Sequence, residues 1–562
     1  MSGSFWALIK QGAHDLRCSC SDAFVIMKSR GPSQLQFWFI ALIIGIGAGF
    51  AALFFRFGIN WLQGMLYGTD DTAHLHSFVA SLAWYQILLL PICGGLIVGL
   101  ILHWFTDDGR VRSVSDVIEG AALNEGRVAV RQGIASAIAS LITLSTGGSS
   151  GREGPVVHLA AVLSTFVNRG LRANGITGRD LLGCAVAAGV SASFNAPLAG
   201  ALFALEVVLR HFAVHAFAPI VIASVAGTVI NRLAFGDVTE FVLPVQNTLA
   251  FYVELPAFLL LGLVCGLVAV VLMRAIFWAE DMASGLQTAT GLPRYLRPAF
   301  AGAMLGGLAI FWPHIIGVGY ETTSAALTGQ LVLHEVIVFA VLKVVAVAIT
   351  IGGRMGGGVF SPSLMIGALT GLAFGMIATS ILPHVSGEGT LYALAGMGAV
   401  AAAVLGAPIS TTLIVFELTG DWQTAMAVMV SVSLSTALAS SLVDRSFFLT
   451  QLERRNVHLA AGPQAYLLAT FRVATLMRPI DSKSEASNDA CWALISEGVY
   501  IDANATLEQA MPMFERGNYG YIPVVSLGIN ETPPELWGAL FQVDALRKMN
   551  TALGETAREE HS

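Results

Sequence analysis

Gly147-Gly148-Ser149-Ser150-Gly151-Arg152-Glu153-Gly154-Pro155 lies between apolar stretches long enough to cross a membrane. This placement decides the reading of the chain. A charged pair such as Arg152-Glu153 is costly in a membrane, and an intramembrane ionisable residue marks a functional site. The glycines leave backbone N–H groups uncovered. Pro155 suits the first turn of a helix, where its missing N–H is not needed. A helix starting near Gly154 points its positive end back at the loop. Glu153 then occupies a place where a free anion is equally welcome. A carboxylate competing with an anion for one site is a gate.

Composition agrees with a membrane protein. The chain has 562 residues, 55% hydrophobic and 12% charged, with mean hydropathy +0.70. Soluble domains carry about 25% charged residues. Met355 to Phe416 holds one formal charge, Glu388, and Leu181 to Leu205 holds none. Both exceed the roughly 20 residues that cross a bilayer. The net charge of −7 gives no reason to expect nucleic acid. Cys93, Cys184 and Cys265 lie in apolar segments, where a small hydrophobe suffices. Cys18 and Cys20 lack a second pair for a metal site, and none is expected. Residues 1–35 show no cleavable signal. Their basic residues, including Lys28 and Arg30, precede the apolar run at Phe37 and place the N-terminus in the cytoplasm.

From Phe37 to about Leu449 the apolar segments are uneven and broken by Gly and Pro, as at Ala196-Pro197, Gly356-Gly357-Gly358 and Ala407-Pro408. Broken segments point to discontinuous helices lining an ion site. There is also an internal echo. Asn195-Ala196-Pro197 runs on to Glu206 as Gly406-Ala407-Pro408 runs on to Glu417. Gly154-Pro155 and Ser361-Pro362 stand at comparable distances upstream. Halves of about 35–232 and 250–448 are what an inverted repeat leaves. Residues 451–497 read as linker and insertion, with Asp481 to Asp489 the most polar part. Residues 498–562, with a lead-in at 473–480, read as a small α/β domain. Its strands are expected at Val499–Asp502, Tyr521–Val525 and Trp537–Phe541, with a helix over Ala505–Arg516 and a short one through Leu546.

The loop at 151–155 is no phosphate-binding P-loop, because no Gly-Lys-Ser/Thr follows. His334-Glu335 lacks the second histidine of a zinc-protease helix. Gly358-Val359-Phe360-Ser361-Pro362 offers a second nest of N–H donors before a proline-marked helix. Two such loops, one per half, point to one shared anion site.

Taken together, these residues resemble the CLC family of chloride channels and proton/chloride exchangers, over about residues 35–450. Gly151-Arg152-Glu153-Gly154-Pro155 matches the family's GREGP motif, and Gly358-Val359-Phe360-Ser361-Pro362 its GxFxP motif. Asn195 to Gly200 and Ala407-Pro408 match two later signatures. The resemblance implies an all-α multi-pass membrane protein, an inverted-repeat bundle of tilted, broken helices. It implies a homodimer with a pore in each subunit, in the cell membrane, the inner membrane for a bacterial chain. Glu153 becomes the gating carboxylate. Ser113, Arg152, Gly154, Val359, Phe360 and Phe448 become the anion-binding candidates, with chloride the ligand. The tail resembles a CBS domain in the cytoplasm. Adenine nucleotide is not expected on it, and no other cofactor is implied.

Three departures matter. The family's GSGIP loop corresponds to Arg112-Ser113-Val114-Ser115-Asp116, with the glycines and proline gone and Ser115 as a second hydroxyl. The family's central tyrosine corresponds to Phe448, which can plug a pore mouth but donates no O–H bond. The paired glutamates of many exchangers correspond to Glu206-Val207, the two proton-pathway candidates. The expectation is a passive chloride channel of the voltage-gated type. The alternative is a proton-coupled antiporter. A membrane-embedded enzyme is remote, since no nucleophile–base pair or metal-ligand set is evident in the sequence.

Overall fold

The computed structural model describes residues 33–561, apart from 69–74, 172–174, 213, 237–240, 242–250, 382–388, 458, 460–467, 469–470, 480–485, 504, 518 and 527–534. Most of the expected N-terminal segment, and residues 481–485 of the expected insertion, lie outside the described residues. The chain divides into two compact units. One holds Met1–Ala121, Gly126–Phe212 and Ala216–Arg455; the other holds Asn456–Ser562 with two short loops.

The first unit is helical. Its first half contains α1 (Gln34–Tyr67), α2 (Leu75–Val79), α3 (Trp84–Phe105), α4 (Val114–Leu123), α5 (Val130–Ser145), α6 (Glu153–Leu171), α7 (Gly175–Phe194), α8 (Pro197–Phe203) and α9 (Val214–Phe235). Its second half contains α10 (Phe251–Thr290), α11 (Arg297–Phe311), α12 (Tyr320–Leu327), α13 (Leu333–Gly352), α14 (Phe360–Ile381), α15 (Gly389–Leu405), α16 (Pro408–Thr419), α17 (Trp422–Leu442) and α18 (Phe447–Glu453). Among the described residues, seven helices are long and apolar enough to cross a membrane. Others are too short to span, which is the broken pattern the glycines and prolines foretell. The outward faces of α1 and α10 expose Phe39, Phe54, Trp61, Leu260 and Val271. Such a face suits lipid. Side chains of α15 from Leu391 to Leu405 are all buried, so this helix forms the centre of the unit. It crosses α14 where Gly367 and Gly396 meet. A Cβ on either would overlap the other's carbonyl oxygen, the close approach that small residues permit in membranes.

The echo of the sequence becomes an exchange of caps. Glu206 accepts from the N–H groups of Ile409 (2.9 Å) and Ser410 (2.8 Å) at the start of α16. Glu417 accepts from Leu198 (2.9 Å) and Ala199 (2.8 Å) at the start of α8. Each half thus supplies the carboxylate that satisfies the other half's exposed helix end. The loops do the same with backbone. Gly151 N–H donates to Gly358 O and Gly358 N–H to Gly151 O, both at 2.7 Å. The two halves meet as an inverted pair.

In the second unit, β1 (Arg478–Pro479), β2 (Ile501–Asp502), β3 (Tyr521–Ser526) and β4 (Glu535–Phe541) form a sheet of order β1-β4-β3-β2. The pair β2/β3 is parallel and the other pairs are antiparallel. Val473, Leu507, Phe514, Ile522, Val524 and Leu540 form its core. With α19 (Asn488–Ser496), α20 (Leu507–Gly517) and α21 (Gln542–His561) this is the small α/β domain expected, with two differences. The last helix does not stop at Leu546, because Met549 and Ala552 continue its apolar spacing. The expected linker holds α19, anchored by buried Cys491 packed near Ala486, Ala539 and Phe541.

Candidate functional site

Glu153 opens α6, 1% exposed. Its Oε1 accepts from Ser361 Oγ at 2.5 Å and from Tyr320 Oη at 3.1 Å. Its Oε2 is buried without a hydrogen-bond partner. The carboxylate therefore bridges the halves, since Ser361 sits in the first turn of α14 and Tyr320 opens α12.

A cavity of about 30 Å³ adjoins it. Its lining includes Ser113, Glu153, Gly154, Val359, Phe360 and Phe448, with Phe203 and Phe447. Roughly 10–15 Å³ of such space holds one water, so this cavity matches two or three water-sized particles. The first residues of α4, α6 and α14 line it, and the helix dipoles favour an anion there. Phe203 and Phe360 line it with ring centroids 5.8 Å apart, and Phe194 packs behind Phe360 at 4.7 Å.

The serine loop keeps its place without its glycines. Ser113 N–H donates to Asp116 Oδ2 at 2.8 Å, and Arg112 and Arg455 pair with Asp116 Oδ1 at 3.3 and 2.9 Å. An acid capped by arginines thus replaces the turn residues. Ser115 lies behind Ser113, its Oγ 3.0 Å away, and does not line the cavity.

Other candidates lie elsewhere. Arg152 does not line the cavity; its guanidinium donates to Ser193 O at 3.3 Å and lies 5.1 Å from the Tyr320 ring centre. Glu206 is the cap of α16 described above. Val207 is buried in a π-helical turn, Ala204–Leu209. Neither borders the cavity. Two groups were not singled out from sequence. Tyr320 carries no motif around it. Lys343, fully buried on α13, donates to Ile315 O (3.1 Å) and Gly317 O (2.9 Å), and so fixes the segment leading to Tyr320.

Beyond Ser113 the space continues. A second cavity of about 70 Å³ shares Ser113, Ile351, Gly357 and Gln451 with the first. It shares Arg110, Arg354, Arg454 and Arg455 with an open recess of about 770 Å³. These spaces form a graded series that ends at Glu153.

The family model for the voltage-gated chloride channel matches residues 94–440, more than half of the chain. The chain belongs to the CLC family. A ClcB-like chloride channel protein of Ralstonia nicotianae is 33% identical over 396 residues, 70% of this chain and 91% of that protein. Among solved structures, a slow cyanobacterial Cl⁻/H⁺ antiporter has a TM-score of 0.65 at 20% identity, over 75% of this chain and 98% of that one. A eukaryotic CLC transporter has a TM-score of 0.62 at 17% identity, over 91% and 98%. The fold is therefore that of CLC transporters, and the chain is a multi-pass membrane protein. Its relatives by name are channels and transporters, not enzymes. In this family's terms, the graded series leads from an open mouth to the GREGP glutamate.

Proposed function

We propose that the chain is a passive anion pathway, chloride first, gated by Glu153 in each subunit of a homodimer. One observation carries the reading. A buried carboxylate with an unpartnered oxygen borders a small cavity where three helix starts converge. The Glu153 carboxylate stands at the cavity where an anion would pass, so the pathway opens when Glu153 is neutral or displaced. The ion is held by N–H groups and the Ser113 hydroxyl rather than by a full charge. That binding is weak enough to leave, which conduction requires. Phe448 narrows the far side without coordinating the ion. The arginine-rich mouth supports a cytoplasmic face there, by the positive-inside bias. Cytoplasmic termini and a place in the cell membrane follow from the same reading. No nucleotide or other cofactor is needed.

Tyr320→Phe tests the latch. A hydrogen bond to a charged group contributes about 1.5–3 kcal/mol, so its loss is expected to raise chloride efflux from liposomes about ten-fold at neutral pH. Efflux equal to the parent's would mean that Tyr320 does not restrain the gate.

A proton-coupled exchanger is the second reading, favoured by the antiporter fold relatives. Against it, among the described residues no second carboxylate lines the cavity around Glu153, and Glu206 is engaged as a helix cap. Chloride flux is expected without stoichiometric proton counterflow, and Val207→Glu is expected to introduce partial coupling. A vesicle with a chloride gradient and a pH-reporting dye measures this directly. A fixed chloride-to-proton ratio in the parent, abolished by Glu206→Gln, would make the protein an exchanger.

A further inference from the structure

The arginines of the outer spaces are not equivalent. Arg297 is consumed by the fold, donating to Gly352 O at 2.6 Å, Glu280 O at 3.0 Å and Ser284 Oγ at 2.9 Å. Arg454 pairs with Asp281 and lies over Phe277. Arg354 and Arg455 differ. Arg354 Nη1 donates to Asp108 O at 3.1 Å and Arg455 Nη1 to Asp116 Oδ1 at 2.9 Å. In both, the Nε–H is buried without a partner. Both line the 70 Å³ antechamber, with Arg110 beside them and Glu280 the one acid on its wall. Arg354 is held at φ +60°, a left-handed conformation that is unfavourable for a non-glycine residue. Strain of this kind persists where geometry is needed. Burial, then the like charge of Arg110, pushes Arg354 below the ordinary guanidinium range. An anion would relieve both.

We infer that this antechamber binds a phosphoryl oxyanion, which then obstructs entry of the smaller permeant anion. A guanidinium fork presents parallel donors to two oxygens of one tetrahedral group, a match a spherical halide cannot use. The antechamber is also roomier than the inner cavity, about 70 against 30 Å³. An oxyanion can lodge in it and still be too large to pass. Gln451 Oε1, buried there without a donor, suits the O–H of a hydrogen phosphate better than a sulfate. Binding follows from the arginines alone; obstruction rests on the anion-path reading above.

Isothermal titration of detergent-purified full chain with pyrophosphate and with sulfate, at fixed ionic strength, reads the site directly. Pyrophosphate is expected to saturate one site per subunit, with sulfate at least three-fold weaker. Arg354→Gln is expected to weaken pyrophosphate ten-fold or more. Arg455→Gln should do likewise, but it also strips Asp116 of a partner, so Arg354→Gln decides. In vesicles, chloride efflux is measured with pyrophosphate or ATP on the arginine face, each variant normalised to its own probe-free flux. Half-inhibition is expected to move ten-fold in Arg354→Gln. Greater potency of ATP assigns the site to nucleotides; equal potency assigns it to free phosphates. An absence of saturable binding, or unchanged affinity in Arg354→Gln, overturns the proposal. Saturable binding without inhibition keeps the oxyanion site and overturns the obstruction, and with it the path through the antechamber.

Discussion

Glu153→Ala is expected to raise chloride flux by ten-fold or more at neutral pH and to flatten its pH dependence. Two hydroxyls, from Ser361 and Tyr320, hold one carboxylate oxygen at 2.5 and 3.1 Å. Bonds of this kind contribute about 1.5–3 kcal/mol each, and 1.4 kcal/mol is ten-fold in an equilibrium. On the proposed reading, a carboxylate held this way spends little time away from the path. Alanine removes both the latch and the competing charge. Efflux from liposomes between pH 4.5 and 7.5 measures the change. Glu153→Gln separates charge from bulk: it keeps the side chain's volume, so a flux between parent and Glu153→Ala is expected. A Glu153→Ala protein with the parent's flux and pH profile would place the gate elsewhere.

Gly357→Val is expected to abolish recovery of folded protein. Gly357 sits at φ +104°, where L side chains are strained, and a Cβ there would overlap Ser150 Oγ. Both belong to the paired loops, whose Gly151–Gly358 bridge is built from backbone alone. Rotating the Ser150 hydroxyl does not clear the overlap, because Ser150 Cβ would also lie 2.5 Å from the added Cβ. Gly357→Ala meets the same overlap with less bulk and should cost several kcal/mol by comparison with known overpacking and backbone strain. Gly307→Ala, on α11, is the control, because no atom lies within 4 Å of its added Cβ. Monodisperse yield in detergent and the thermal midpoint report both. Recovery of Gly357→Val with the parent's midpoint would contradict the loop geometry.

Much of this was legible in the chain, for identifiable reasons. The broken helices showed because Gly and Pro interrupt apolar text, and the repeat showed because Pro197 and Pro408 each precede a glutamate by nine positions. The meeting of the two donor-rich loops at one cavity followed from their places ahead of proline-marked helices. What escaped was contact across the fold. Nothing local to Tyr320 announces that its hydroxyl meets a carboxylate 167 residues away. Arg152 stands inside the motif, yet the first turn of α6 sends its side chain to Ser193 O. Glu206 reads as a proton relay from its neighbours in sequence, but its two oxygens are claimed by α16 from 203 and 204 residues on. In the C-terminal unit, strand existence was readable from apolar alternation, and the extra turns of α21 were set by packing.

The exchange of caps also imposes an order on biosynthesis. Leu198 N–H donates its hydrogen bond to a carboxylate 219 residues downstream. At 5–20 residues per second, the ribosome needs on the order of ten to forty seconds to supply it. Through that interval the start of α8 has unmet N–H groups that lipid cannot satisfy. The first half must therefore wait beside the translocon, near water or an attendant protein, until its counterpart emerges.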